Sequence, residues 1–415
     1  MQRRHARGRH SENIDPDSLP LAQPATGSRI ESFGVVFSGS GREYARLWRA
    51  NLLFGWYSHR VHRRAVRYFI ENTRVAGHPL EYLDVTPRSA LGFPVMVLLV
   101  LALFIALDTG QTLAMTALLL VGLALVPYRW GLSWRSRVQS VRWRTMRPRF
   151  VAHGLEIYRA SGPLAVMALA WVACLQLLQR MLAQDSGWAA DLMPDRPWLL
   201  PLATLTLALG VGMAAAARLD FNYQMLAARR LRVGNHWGLW KGQANEVRAI
   251  WLGTLAWLLA GLLVASLLVG ALFAAGVGLI GVIDLPRSVR TLLVLGVTAI
   301  GVLLVALASA PARAWREARM FRLVWNTVGL GGVARFKCRL SVGRYMRLRL
   351  WNQWITLCTL GFYRPYARVR EYRIRVESVT VFIKGELDAR VGESAFEEKS
   401  TGQTAAGAFG LSATG

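Results

Sequence analysis

The chain has 415 residues, of which 53% are apolar, and its mean hydropathy is +0.30. Its formal charge is +26, yet almost none of that charge falls inside the long apolar blocks. Uncharged runs joined by basic connections set aside a row of soluble domains and mark a polytopic membrane protein obeying the positive-inside rule. A specific nucleic-acid partner, the other usual meaning of so basic a chain, is not expected, because the cations flank membrane-length segments.

In chain order, residues 1–30 are basic and polar without periodicity or an apolar core. They read as a disordered cytoplasmic tail rather than a signal peptide, so insertion is expected to use internal segments. Residues 31–90 read as a strand module with a short apolar run, Ala50–Tyr57. Six blocks without internal charge follow: Leu91–Leu107, Gln111–Pro127, Pro163–Gln179, Pro197–Ala217, Ala249–Ile283 and Val289–Ala310. A spanning helix needs about 20 apolar residues. Ala249–Ile283 exceeds one straight span and is expected to break, tilt or form an outer loop near Ala275–Ile283.

The connections alternate. Asp108–Gly110 carries no Lys or Arg, Asp185–Arg196 is acidic, and Ile283–Arg290 sets Asp284 against Arg287 and Arg290. The other set is basic: Arg129 to Arg149, Arg229 to Lys241, and Arg313 to Arg339. This places the basic loops and both termini in the cytoplasm and pairs the six spans into three hairpins, in segments 91–162, 163–248 and 249–349. Segment 350–391 holds a second marginal run, Leu350–Phe362, then a basic helix and a last strand. Arg-rich sequence on both flanks makes the two marginal runs re-entrant or interfacial. Residues 392–415 read as a disordered tail.

A repeat underlies this layout. Strand-like segments precede the apolar runs at Phe33–Tyr44, His78–Leu83, His153–Tyr158, His236–Gly242 and Arg335–Tyr345, and Thr380–Gly385 closes the series. Helix ends with Asn, Thr or Gly recur before them, at Asn72-Thr73 with Gly77 and at Asn326-Thr327, and a structural turn role suffices for these residues. The expected fold is therefore a membrane α-helical bundle of six clear transmembrane helices plus two marginal helices. A small cytoplasmic layer of repeated short β-strands lies beneath it, with five or six strands pairing between modules.

Phe37-Ser-Gly-Ser-Gly-Arg-Glu-Tyr44, Asn51, Arg67-Tyr-Phe69, Asn72-Thr73 with Gly77, and Thr359-Leu-Gly-Phe-Tyr-Arg-Pro-Tyr-Ala-Arg-Val-Arg370 resemble the YjgN-like family. These are bacterial inner-membrane proteins built on a domain of unknown function. The resemblance covers about residues 33 to 390 and implies fold and location. It supplies no activity, cofactor or catalytic residue. The N-terminal copy, Phe54–His59, lacks the Thr-Leu-Gly and Pro of the later one.

No P-loop, GxSxG, HExxH or Rossmann fingerprint is present in the sequence. Cys174, Cys338 and Cys358 are too scattered for a disulfide framework or a metal site. His59 and His62 lack a carboxylate pattern, and His78, His153 and His236, two of them followed by Glu81 and Glu156, are explained by repeat descent. No catalytic residue, metal site or cofactor is expected. The basic clusters are the strongest functional surface: Arg142, Arg144, Arg229, Arg230, Arg368, Arg370 and Arg373 are candidate contacts for anionic lipid. Gly361 and Pro365 are expected hinges of the last turn. The function expected is a non-enzymatic scaffold or lipid-interacting protein with membrane lipids as partners. The alternative is a transporter or channel for a small solute through an uncharged pathway that Gln176, Thr204 or Thr254 could line.

Overall fold

In the computed structural model, residues 30–49, 59–84, 92–182, 199–282 and 286–384 are described. The expected tails up to residue 29 and from residue 385, the run Ala50–Tyr57, the acidic loop Asp185–Arg196 and the side chains of His59 and His62 lie outside the described residues.

Five times the chain runs strand, helices, strand. The first unit holds β1 (Ile30–Phe37), α1 (Gly41–Arg49), α2 (His59–Glu71) and β2 (Thr73–Val75). The second holds β3 (His78–Tyr82), α3 (Gly92–Asp108), α4 (Thr112–Gln139) and β4 (Val141–Trp143). The third holds β5 (Pro148–Phe150), α5 (Gly154–Ala160), α6 (Gly162–Leu182), α7 (Leu199–Arg229) and β6 (Leu231–Val233). The fourth holds β7 (His236–Trp240), α8 (Ala244–Val282), α9 (Arg287–Thr327) and β8 (Val328–Leu330). The fifth holds β9 (Ala334–Cys338), α10 (Val342–Cys358), α11 (Arg364–Glu377) and β10 (Val379–Lys384).

The ten strands form one sheet in the order β4-β3-β2-β1-β10-β9-β8-β7-β6-β5, every pair antiparallel. Its two ends, β4 and β5, are consecutive in the chain. Trp143 and Met146 exchange both backbone hydrogen bonds across the turn between them, at 3.1 and 2.9 Å. The sheet therefore closes into a ring. Within each unit the two strands pair with each other. Between units they are joined by tight turns, except where β1 pairs with β10 and joins the two ends of the fold. Turns lie on one side of the ring and helices on the other, because each unit leaves and re-enters the ring through its helices.

Turn chemistry explains the joints. Ala76 and Gly77 both have positive φ between the paired Val75 and His78, the two-residue hairpin that needs left-handed backbone at both centres. Gly234 has φ +57° in the corresponding joint between Val233 and His236. The recurrence of His78 and His236 is thus the recurrence of a first strand residue after a two-residue turn. The expected strand at His153–Tyr158 is instead the start of α5: with Glu156 in the first turn and Ile157 and Ser161, four apart, buried on one side, it forms a short helix. Likewise the strand-like segments at Phe33–Tyr44 and Arg335–Tyr345 are strand only to Phe37 and Cys338, then helix.

Among the described residues, five helices are long and apolar enough to cross a membrane: those at Leu113–Gln139, Gly162–Met181, Leu199–Arg229, Ala244–Gly276 and Arg287–Thr327. Pro94–Asp108 is apolar but shorter. Their leucines and valines face outward, for example Leu113, Leu169, Leu207, Leu267 and Leu292, an exposure that water would penalise and hydrocarbon would not. α8 runs unbroken through the stretch expected to break, Ala275–Val282, because its glycines lie within a helix of strong formers and no proline interrupts it. Pro127 and Pro311 stand where the apolar part of α4 and of α9 gives way to a basic part.

α8 and α9 form the most extensive helix pair, and Gly261 lets them touch: a Cβ there would lie 2.3 Å from the Ala308 carbonyl oxygen. Gly212 meets Trp171 of α6, whereas Gly210 faces open space. Gly261→Val is expected to cost about 1–3 kcal/mol and to lower the thermal unfolding midpoint in detergent. Gly270→Val, with no atom within 4 Å of its Cβ position, is expected to leave the midpoint unchanged.

Candidate functional site

Two family-like motifs from opposite ends of the chain fold against each other. The Ser40 N–H donates to Tyr68 Oη and the Tyr68 hydroxyl donates to the Ser40 carbonyl, both at 2.8 Å. Arg373 Nη2 donates to the Gly39 carbonyl at 2.6 Å, with its guanidinium over the Phe37 ring. Thr73 and Tyr372 share a hydroxyl–hydroxyl bond of 3.0 Å, and Phe37, Phe69 and Tyr372 pack as an aromatic cluster. Gly41 lies against the Tyr366 ring. These motif residues join β1, α1, α2 and α11.

The turn residues singled out in the sequence serve the same end. Asn72 donates to the Tyr68 carbonyl, Asn326 Oδ1 accepts the Cys338 N–H at 2.7 Å, and Thr327 caps its own helix through the Leu323 carbonyl. Gly77 and Gly361 have φ of +79° and +94°, and Pro365 is buried at the first turn of α11.

Among the candidate lipid contacts, Arg142, Arg230 and Arg373 each hold another part of the fold. Arg142 Nε donates to Glu81 at 2.6 Å, tying β4 to β3; Arg230 pairs with Glu156, tying α7 to α5; and Arg373 holds Gly39. Arg144 occupies the β4–β5 turn with φ +53°. Arg229, Arg368 and Arg370 are exposed. The candidates are therefore not brought together into one cluster.

A second hub holds the last unit upright. Glu317 of α9 accepts from Arg349 of α10, Arg375 of α11 and the Tyr345 hydroxyl, the last at 3.1 Å. Three elements converge on one carboxylate. Burial, the largest cause, pushes the Tyr345 phenol up to about 12, and lowers Arg349 from its usual value. Burial and then the Glu43 carboxylate do the same to Tyr68, also to about 12.

That hub ties the bases of α10 and α11 to the basic part of α9, seven residues from the end of the apolar block at Ala310, and α10 continues eleven residues past Arg347 to Cys358, roughly 16 Å of helix. Along one face of α10 the side chains follow that ascent. Arg344 and Arg347 come first, then Trp351 and Trp354, then at the tip Leu360, 90% exposed, and Phe362. Arg370 of α11 joins them in a groove of about 660 Å³ that no acidic side chain lines.

The Trp face was missed in the sequence, although the spacing Arg344, Arg347, Trp351, Trp354 is a readable helical stripe. A second cationic groove, of about 1030 Å³, lies where Arg319 and Arg322 of α9 meet Arg335 and Lys337 on the outward face of β9 and Arg339 just past its end. The three histidines do not converge: among the described residues no group of three His, Cys, Asp or Glu could hold a metal ion.

Outward leucine faces, basic stems and a cationic–aromatic tip define a multi-pass helical membrane protein carrying a strand ring beneath its spans. The chain belongs to the family described as "Bacterial protein of unknown function (DUF898)", the domain of the YjgN-like proteins, which matches residues 33–408. Neither a curated protein nor a solved structure matches it.

Glu317→Gln is expected to lower unfolding stability by about 2 kcal/mol, since Arg349 and Arg375 lose their shared counter-charge. Tyr345 and Tyr68, raised above the unfolded tyrosine value near 10, contribute stability that is complete below about pH 10 and is lost as pH rises toward 12. Thermal midpoints measured across pH 8 to 12 are therefore expected to fall above about pH 10, and less steeply in Tyr345→Phe.

Proposed function

We propose that the protein is a non-enzymatic, lipid-interacting scaffold of the bacterial inner membrane. Its ring, both termini and its basic stems lie on the cytoplasmic side, and α3 completes a sixth span. Three hairpins, α3–α4, α6–α7 and α8–α9, cross the bilayer, while α10–α11 enters only its surface. The five strand–helix–strand units derive from one repeated module.

One observation carries this reading: the graded face of α10, cationic at the base, tryptophan above, leucine and phenylalanine at the tip. Cations suit anionic headgroups at roughly 1 kcal/mol each, indole rings suit the interfacial belt, and an exposed Leu360 suits hydrocarbon. A helix seated in this way buries its apolar face about 5–10 Å into the interface. The basic stems, Arg313 to Arg322 on α9 among them, support a cytoplasmic placement through the positive-inside rule.

The non-transport reading is supported by the hydroxyls inside the spans. Thr204, Thr254 and Thr298 each donate to a carbonyl of their own helix, at 2.8 Å, which satisfies them without a pathway.

Native mass spectrometry of the purified protein tests the lipid reading. Wild type is expected to retain anionic phospholipid, and Arg344→Ala/Arg347→Ala/Arg370→Ala to lose about 3 kcal/mol, or roughly a hundredfold in affinity for it, with neutral lipid unaffected. Equal retention of anionic lipid by both would overturn it. For orientation, Ser186→Cys is expected to react with an impermeant thiol reagent from outside and Ser400→Cys only after lysis; same-side labelling would sink the hairpin scheme.

A further inference from the structure

The closed ring has an interior. A cavity of about 500 Å³ is lined by side chains from all ten strands, among them Val35 of β1, Leu80 of β3, Val233 of β6, Leu330 of β8, Phe336 of β9 and Val381 of β10. On the helix side α9 and α11 contribute Trp325, Phe321, Tyr372 and Val376. Strand alternation produces this lining. On β10, Val379, Val381 and Ile383 are buried while Lys384 is exposed; on β9, Phe336 lies inside between the outward-facing Arg335 and Lys337.

We propose that this lumen is a binding site for a single long hydrocarbon chain, either that of a free fatty acid or one acyl chain of a phospholipid. Three observations point to hydrocarbon. First, the wall is mostly aliphatic and aromatic, and of its polar side chains (Thr73, Tyr372, Trp143, Trp325 and His236) Thr73 is engaged with Tyr372 at 3.0 Å and Trp143 Nε1 with the Val75 carbonyl at 3.2 Å. Water needs two to four polar partners, and an apolar cavity as small as about 150 Å³ takes up apolar ligands instead. Second, the volume lies within the usual range of roughly 300–1,000 Å³ for ligand pockets. At about 30 Å³ per methylene-sized group, it holds on the order of fifteen of them. Third, the cavity is walled on the helix side by α9 and α11, one a candidate span and the other half of the α10–α11 hairpin, so the bilayer is the nearest reservoir of such chains. This inference concerns the ring interior and does not depend on the outer Arg–Trp face.

The test uses the full-length protein in lipid nanodiscs with two probes: a long-chain fatty acid bearing a mid-chain diazirine, and phosphatidylglycerol carrying the same diazirine chain. After irradiation, adducts are mapped by peptide mass spectrometry. Adducts are expected on lumen residues such as Val35, Phe336 and Val381, in addition to those on the spans. The probe that labels them tells free acid from esterified chain, and either supports the site. Val381→Trp and, separately, Ala334→Trp fill the lumen and are expected to reduce its labelling about tenfold, with labelling of α6 and α8 unchanged. Lys337→Trp, on the outer face of β9, is expected to change nothing. Each variant is compared at equal thermal midpoint or at a temperature at least ten degrees below it, so that unfolding is separated from occlusion. Adducts confined to the spans and the α10–α11 tip would overturn the proposal. So would lumen labelling unaffected by both filling variants, or lumen labelling that arises only once residues 385–415 are deleted, which would make the chain's own tail the occupant.

Discussion

The structure depends on ring closure. Five strands, β2, β4, β5, β6 and β8, have three residues each. So short a strand fixes several backbone dihedrals for a few hydrogen bonds and leaves its edges unpaired, and it is not stable by itself. Closure removes the edges. The longest ladders, β1 with β10 and β10 with β9, hold the two ends of the fold together, and the shortest seam, Trp143 with Met146, needs only one residue pair because its strands are neighbours in the chain. The loop-closure cost falls on the pairing of residues 30–34 with 380–384, and it is offset by the buried valines of β10 and by the aromatic cluster around Phe37.

Once the ring is closed, the heights of the helices follow. Every helical pair starts and ends on the same layer of strands, so helix length converts directly into distance from the ring. The basic lower parts of α4, α7 and α9 act as stems, and prolines mark the change of solvent in two of them. Three acids lock arginines between segments: Glu81 with Arg142, Glu156 with Arg230, and Glu317 with Arg349 and Arg375. What is left over is a surplus of exposed cations, on α10, α11 and the outer face of β9. The same alternation that exposes Arg335 and Lys337 turns Phe336 inward, so the charged surface and the apolar lumen are two faces of one strand pattern.

The two motifs that carry the family resemblance were legible as motifs and illegible as chemistry. Thr73 and Tyr372 stand 299 positions apart, and their hydrogen bond exists only because β1 and β10 pair, whereas Ser40 and Tyr68, 28 apart, meet within the first unit. Arg373 resembles a surface anchor in the sequence, but its guanidinium is committed to the Gly39 carbonyl and the Phe37 ring. His78 and His236 resemble a dispersed site and are strand starts.

By itself the sequence determined the apolar spans, the basic connections, the places of β1, β3, β7, β9 and β10, and the family. These are local properties: hydropathy, charge and alternation act over a few residues and are written where they act. Only the tertiary structure decided that His153–Tyr158 is helix, that α8 is continuous, that ten strands rather than five or six make the layer, and that they close. Three-residue strands carry too little pattern to be read alone, and a lumen built from one or two side chains of each strand has no local signature at all. Its apolar character is a sum over the whole ring, and the sum exists only after the ends have met.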